Sequence, residues 1–588
     1  MTIRFLPKHL TATLRNSRFV GISVYCLGVF WGIESYAQRP DESSFGMRLR
    51  GVPQRAADVF EPVFVTAAPT NEATLIRTKN GGLTIFYVNR PGEADKLLSI
   101  SSPDGLHWSE PVKELDLPGQ AYYANRVLED RNGGLNCIFH LWSTGDNGYR
   151  GKHLDVWYCR KTAAEKPWSS PRKIYDGYVG SMRSFIQLTT GELLISFARA
   201  VPQRLEKPAD GQKDYGWNDI LVLLSDDNGQ NWKPSADQLQ VEIDGSMPVR
   251  YGGIEPNVLE LADGRLWMLI RTNKGQLYES FSTDRGRSWQ SAQPSRFISS
   301  DSPAELLRLS DNRIVLFYNG NQRWDNPRSY AAGGREVLHA AVSRDEGKTW
   351  KGFREVLTTP SAQQKATSDR GTAYASAAET IAGKVAFVAG QGEAKAMVLF
   401  DPDWLEQAEV RDDFSAGLVQ WTLYDADSLI RLTPDPKTGQ NALLVTAGSG
   451  KTNAAALWNF PATAQGTLKV ELELPLDSPV VSLMLTDHFS VSTDSKAADH
   501  AVVGFVFKPA NRPGKPPKNR RTVLEIRWNS AENKANLYVN GRLAAQSDFH
   551  RRPGCGLNYL RIGLAEHSVP PATFMIRSVA LSAQKNNN

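Results

Sequence analysis

The feature that most constrains this chain is a short turn that recurs along it. Ser225-Asp226-Asp227-Asn228-Gly229-Gln230-Asn231-Trp232 follows the pattern Ser-x-Asp-x-Gly-x-x-Trp, as do Ser282 to Trp289 and Ser343 to Trp350. Ser102 to Trp108 is a variant one residue shorter. Each follows a short apolar run, such as Ile220 to Leu224 or Val337 to Ala341. A tight turn between strands leaves backbone N–H groups to satisfy. The Asp side chain does this, Gly takes the positive φ, and Trp covers the turn with apolar surface. Three complete matches make an internal repeat, and a repeat implies a repeated architecture.

A second signal alternates with the first: a polar turn with Gly or Asn that leads into an apolar strand. It occurs at Thr78 to Leu83, Asp130 to Leu135, Thr189 to Leu194, Ala262 to Leu266, Ser310 to Ile314 and Ala382 to Val385. Each unit ends on a tryptophan: Trp108, Trp168, Trp232, Trp289, Trp350 and Trp404, about sixty residues apart. Six units of four short strands predict an all-β chain with a six-bladed β-propeller over residues 60–408. Beyond Leu405 the pattern stops. Alternating strands such as Leu468 to Leu474 and Val523 to Trp528, with the turn Asn540-Gly541, predict a hairpin-rich, jelly-roll-like β-sandwich over 409–585. Lys508 to Arg521 reads as an exposed basic loop, or as a polyanion contact.

The first 37 residues have the form of an export signal. Arg4, Lys8, Arg15 and Arg18 precede an apolar run from Phe19 to Ile33, and Ser35-Tyr36-Ala37 offers a small-x-small cleavage site. The run is short for a spanning helix, so no membrane insertion is expected after cleavage near Ala37. Residues 38–59 then form an N-terminal extension, and the mature chain is secreted or periplasmic. Cleavage removes those four cations and Glu34, taking the formal charge from +5 to +2. A nearly neutral surface gives no case for nucleic acid as a partner. Cys137, Cys159 and Cys555 remain, an odd number that is no disulfide framework. Cys137 and Cys159 either pair across neighbouring strands or stay as buried thiols, the second being preferred.

The repeated turns join the third and fourth strands of a unit. The opposite face therefore gathers the start of each first strand with the loops joining second to third strands, and chemistry is expected there. Those positions carry Asn71, Glu72, Arg90 and Asp95; Asn125, Arg126, His140, Trp142 and Asp155; Arg183, Arg199 and Asp219; Glu255, Arg271 and Gln276; Ser302, Arg323 and Arg335; Tyr374 and Glu393. So many guanidinium groups beside isolated carboxylates suit a small anionic ligand. No metal-ligand motif, phosphate-binding glycine loop or Ser-His-Asp arrangement stands out, and no cofactor or metal is expected.

The repeats and several of these segments resemble the sialidase (Asp-box) superfamily over about residues 60–405. Glu255 to Leu261 with Arg271 is similar to the segment holding the family's base and one carboxylate-binding Arg. Gly333-Gly334-Arg335 resembles that of a second such Arg, and Thr372 to Ser376 the nucleophile segment. Phe86 to Arg90 with Asp95 resembles the stretch with a supporting Arg and the acid. Asn71-Glu72-Ala73-Thr74 stands where the family has its first triad Arg, so that residue is absent. Arg126 or Arg183 would have to compensate. The C-terminal region resembles laminin-G or concanavalin-like modules.

The resemblance implies a secreted exo-glycosidase that releases a terminal acidic sugar from glycans with retention of configuration. Tyr374 would be the nucleophile, Glu255 its base and Asp95 the acid. Arg271 and Arg335 would bind the substrate carboxylate, with Arg90, Arg126, Arg183, His140 and Trp142 lining the site. Each has a plainer reading too: Glu255 and Arg271 as a structural ion pair, Tyr374 and Trp142 as core, Asp95 as a loop carboxylate. The alternatives are a uronide lyase or rhamnosidase-type hydrolase on the same scaffold, or a carbohydrate-binding propeller without catalysis.

Overall fold

The computed structural model describes residues 52–88, 95–144, 152–163, 165–201, 217–242, 252–322, 334–358, 371–424, 429–435, 438–447, 454–475, 479–490, 500–508, 520–565 and 572–584. The expected signal segment, its cleavage site, Arg90 and Arg323 lie outside them. No helix among the described residues is long and apolar enough to cross a membrane.

The chain is all-β. Among the described residues, six four-stranded antiparallel sheets occupy the repeated region. The first holds Thr74–Arg77, Leu83–Val88, Lys96–Ser102 and Val112–Asp116, and the next four follow the same order along the chain. The sixth consists of Ser376–Glu379, Val385–Ala389 and Ala396–Phe400, and its fourth strand is Val63–Thr66 from the other end of the region. The short first strands touch in cyclic order, and Ser376–Glu379 meets Thr74–Arg77 again.

The repeated turn works as its residue types require. Gly229 N donates to Ser225 Oγ at 2.8 Å, and Asn231 N donates to Asp227 Oδ1 at 2.8 Å. The turns at Ser282 and Ser343 repeat both bonds. Gly229, Gly286 and Gly347 hold φ near +80°, where a Cβ is disfavoured. Trp289 and Trp350 donate Nε1 to Gly286 O and Gly347 O, so each indole lies over its own turn. Bonds from backbone and side-chain amides keep the Asp227 carboxyl down at about 2.

The first strands are joined sheet to sheet by side chains. Leu75 N donates to Ser376 Oγ, Val258 N to Ser184 Oγ, and Leu306 N to Asn257 Oδ1, at 3.0, 2.6 and 3.1 Å. Thr74 Oγ1 donates to Asn125 O at 2.8 Å. These amides lie on the edge that faces the next sheet, away from the second strand, and would otherwise be buried without a partner.

From Glu409 onward the strands build one eight-stranded and one five-stranded sheet. Alternate residues of both, among them Leu468, Val470, Leu472, Leu483, Ile526 and Ile562, form the apolar layer between them. This part packs on the fifth sheet of the repeated region. Asn321–Gln322 pairs in parallel with Phe489–Ser490, and Lys351–Thr358 lies along Ala455–Thr463. Asn459 and Asn558 both donate Nδ2 to Phe353 O. At the centre, Gly320 N donates to His339 Nδ1 at 3.2 Å, which leaves the proton on Nε2 to reach Tyr559 Oη at 2.7 Å. Tyr559 then donates to Glu355 Oε1 at 2.7 Å.

Two outcomes follow from this packing. Tyr559→Phe strips two buried polar groups of their partner and should cost roughly 1–3 kcal/mol of unfolding free energy in a denaturant titration. The second concerns pH. Burial pushes His140 and His339 down to about 3. The folded chain then binds fewer protons than the unfolded one below the ordinary histidine value. Stability should be full above about pH 6.5 and fall as pH drops, by up to ~1.4 kcal/mol per pH unit for each histidine. Melting temperatures unchanged between pH 7 and 5 would contradict this.

Candidate active site

Three residues stand at the heads of first strands in the left-handed region: Glu72 at φ 54°, Glu255 at 51° and Tyr374 at 66°. Glu72 and Tyr374 each precede the first residue of their strand by two positions, Thr74 and Ser376. Glu255 lies in an irregularity of pairing between Ile254 and Asn257, which re-aims its side chain. Non-glycine residues adopt this conformation at a cost, and the cost is tolerated where a side chain must point a particular way. All three are buried, and their strands belong to the series of touching first strands.

Tyr374 and Glu255 meet there. The Tyr374 hydroxyl donates to Glu255 Oε1 at 2.9 Å and accepts from Arg271 Nη1 at 2.9 Å. Arg271 Nη1 also donates to Glu255 Oε2 at 2.7 Å, which closes a three-membered cycle. Arg271 is held from behind by Asp301, whose Oδ1 accepts from Nε at 2.7 Å. The Asp301 carbonyl accepts from Arg335 Nη2 at 2.8 Å, and Arg335 Nη1 donates to Gln391 Oε1 at 2.9 Å. The Arg335 and Arg183 guanidinium carbons lie 5.3 and 5.5 Å from the centre of the Tyr374 ring. Arg271 is 1% exposed and Arg335 0%. Burial first, then the Glu255 charge, pushes the Tyr374 hydroxyl well above its ordinary value, against the pull of Arg271 and Arg335. Tyr374 is therefore a neutral hydroxyl with an acceptor for its proton already in place.

Below this layer the first strands line a channel of about 550 Å³. Arg126 and Arg183 stand in it. Arg183 Nη2 and Arg126 Nη2 lie 3.1 and 3.6 Å from the same Glu305 oxygen. Arg183 also donates to Ala375 O, and Arg126 Nη1 donates to Ser376 Oγ at 3.3 Å. Both arginines brace the strand that carries Tyr374. Burial, and then the Arg183 charge, lowers Arg126 to about 10.

The other expected residues do not join the cycle of Tyr374, Glu255 and Arg271. Asp95 is exposed, with its carboxylate 3.7 Å from Lys96 Nζ, and its carbonyl accepts from Leu117 N. His140 is buried in the strand Leu135–Thr144 on the side of Ile138, facing the third sheet. Among the described residues, neither of its ring nitrogens has a hydrogen-bond partner. Trp142 is half-buried at the end of the same strand, where its backbone N–H bonds Gln120 O. Cys137 and Cys159 are buried directly opposite each other on neighbouring strands. Asp301 and Gln391 were not singled out from the sequence. Asp301 lies in the connection between Gln293–Ile298 and Glu305–Arg308, and Gln391 follows Val385–Ala389 by two residues, positions shared with many polar residues.

Among the described residues, one group of potential metal ligands comes together: His153, Asp155 and Asp176 on the rim of the second sheet. Lys173 Nζ already lies 2.7 Å from Asp155 and 3.2 Å from Asp176, so an ammonium supplies the positive charge there.

Residues 138–394 match the family model described as a BNR repeat-like domain. No curated protein matches the sequence. Similar solved structures include a protein of unknown function from Dyadobacter fermentans, 17% identical, covering 58% of this chain and 97% of its own at a TM-score of 0.42. A mutant of Trypanosoma rangeli sialidase displaying trans-sialidase activity is 13% identical over 92% of this chain and 96% of its own, with a TM-score of 0.39. The NanB sialidase of Streptococcus pneumoniae is 11% identical over 59% and 71%, with a TM-score of 0.40. Residues 138–394, which contain the repeated turns at Ser225, Ser282 and Ser343, are thus similar to a BNR repeat-like domain.

Proposed function

We propose that this protein is an exported glycoside hydrolase in which Tyr374 is the nucleophile and Glu255 its base. The six sheets are read as a six-bladed propeller over residues 60–408, closed by Val63–Thr66, with the sandwich over 409–585 as its buttress. The observation that supports the chemistry best is the cycle of Tyr374, Glu255 and Arg271. An isolated Tyr is a poor nucleophile because its proton leaves only at high pH, and a hydrogen-bonded carboxylate removes that obstacle.

In the first step the Tyr374 oxygen attacks the anomeric carbon while its proton passes to Glu255. The bond to the leaving oxygen breaks, and that oxygen takes a proton from an acid on the far side of the sugar, the role expected of Asp95. In the second step water attacks the same carbon and gives its proton to the carboxylate that acted as the acid, while the Tyr374 oxygen leaves and recovers its proton from Glu255. Two displacements return the original configuration. Arg271 donates to both the phenolic oxygen and Glu255, so it stabilises charge wherever the proton stands. The acidic sugar expected from the sequence depends on Arg271 and Arg335 being open to a substrate carboxylate.

The test uses 4-methylumbelliferyl glycosides and their 2-fluoro or 3-fluoro analogues with the full-length mature chain. Glu255→Gln should lower kcat by roughly 10²–10⁴-fold. Tyr374→Phe should lower it further and abolish the covalent adduct, which peptide mass spectrometry should find on Tyr374 of the wild type. An adduct on another residue, or turnover that survives Tyr374→Phe, would sink the assignment.

A further inference from the structure

Among the described residues, guanidinium groups and carboxylates stand around Tyr374 in equal number. Four guanidinium groups converge there, those of Arg126, Arg183, Arg271 and Arg335, and four carboxylates accompany them, those of Glu72, Glu255, Asp301 and Glu305. Arg271 gives Nε to Asp301 and Nη1 to Glu255 and Tyr374. Arg335 gives Nε and Nη2 to the Asp301 carbonyl and Nη1 to Gln391. Arg126 and Arg183 share Glu305. A carboxylate on a substrate would compete with these protein acceptors for guanidinium groups that are themselves buried. At Arg126, Arg183 and Arg271 that exchange gains little, because one anionic partner replaces another.

Glu72 adds a repulsive element. Its strand is locked to that of Tyr374 by the bond from Leu75 N to Ser376 Oγ, and both residues stand two positions ahead of their strands. They therefore stand at the same height on neighbouring sheets. Glu72 is buried, in the left-handed region, with its carboxylate accepting from Ser181 Oγ. The Tyr374 hydroxyl feels the Glu72 charge as well as that of Glu255. A second carboxylate beside the nucleophile suits sugar hydroxyls, which donate to it, and disfavours an anionic sugar by like-charge repulsion at low dielectric.

We infer that this site takes a neutral hexose or deoxyhexose glycoside, and that Glu72 is the residue that sets this preference. The inference rests on the glycosidase reading for its substrate but not for its charge argument. The test compares matched aryl glycosides, glucoside against glucuronide and galactoside against galacturonide, together with the aryl glycoside of a nonulosonic acid. Wild-type kcat/KM should favour the neutral member of each pair by at least tenfold. Glu72→Gln keeps the shape and an acceptor for Ser181, and should shrink that ratio at least tenfold. Ser181→Ala, which loosens the carboxylate without removing it, should shrink it less.

Turnover that favours an anionic glycoside and is lost in Tyr374→Phe overturns this inference and leaves the glycosidase reading intact. So does an unchanged ratio in Glu72→Gln. Absence of turnover on every glycoside counts against the reaction instead. The melting-temperature shifts caused by free glucose, galactose, glucuronate and galacturonate then decide the charge argument alone. Larger shifts with the neutral sugars, equalised in Glu72→Gln, support it; equal shifts, larger ones with the acids, or none, overturn it.

Discussion

The architecture depends on how the first strand of each sheet disposes of its outward-facing amides. These strands are four to nine residues long and pair with one neighbour each, so one edge of every strand faces the next sheet. An unbonded N–H there would be buried without water. Ser184, Asn257 and Ser376 take up those amides from the adjoining sheet, and Thr74 does the converse by donating to a carbonyl. The bonds fix the height of each first strand relative to the next. That height places Glu72, Glu255 and Tyr374 at one level, though they are separated by up to three hundred residues in sequence.

The same arrangement explains where strain is held. The three residues whose side chains turn inward at that level have positive φ, while the repeated turns on the opposite face place glycine at the positions of highest positive φ. At the turns the conformation is chosen for the backbone, and glycine meets it without cost. At the site it is chosen for a side chain, so glycine cannot serve and the rest of the sheet must hold the residue in place. Arg126 and Arg183 supply part of that support through Ser376 and Ala375, the residues that follow Tyr374.

The C-terminal sheets connect to the site through the fifth sheet. Phe489–Ser490 extends the short strand Asn321–Gln322, and Asn321 in turn donates to Gly334 O, next to Arg335. The relay from His339 through Tyr559 to Glu355 binds the same two parts over fully buried atoms. A module attached by a linker would leave such groups solvated. Here the position of Arg335 depends on strands that lie 150 residues further along the chain.

The sequence by itself determined the all-β class, the repeat and the strand-turn-strand grammar. The turn at Ser225 to Trp232 satisfies its own amides within eight residues, so its pattern survives wherever it occurs. It also marked Glu255, Arg271, Arg335 and Tyr374 through a resemblance, since these stand at set offsets from strands. Tertiary structure alone decided what surrounds them. Asp301 behind Arg271, Gln391 on Arg335, and Glu305 between Arg126 and Arg183 join residues from different sheets, and no local pattern encodes such contacts. It also decided that Asp95 lies exposed beside Lys96 and that His140 faces the core. A local signal says that a polar residue sits near a strand end. Only the packing of one sheet on the next determines whether that residue meets solvent, a counter-charge or a nucleophile.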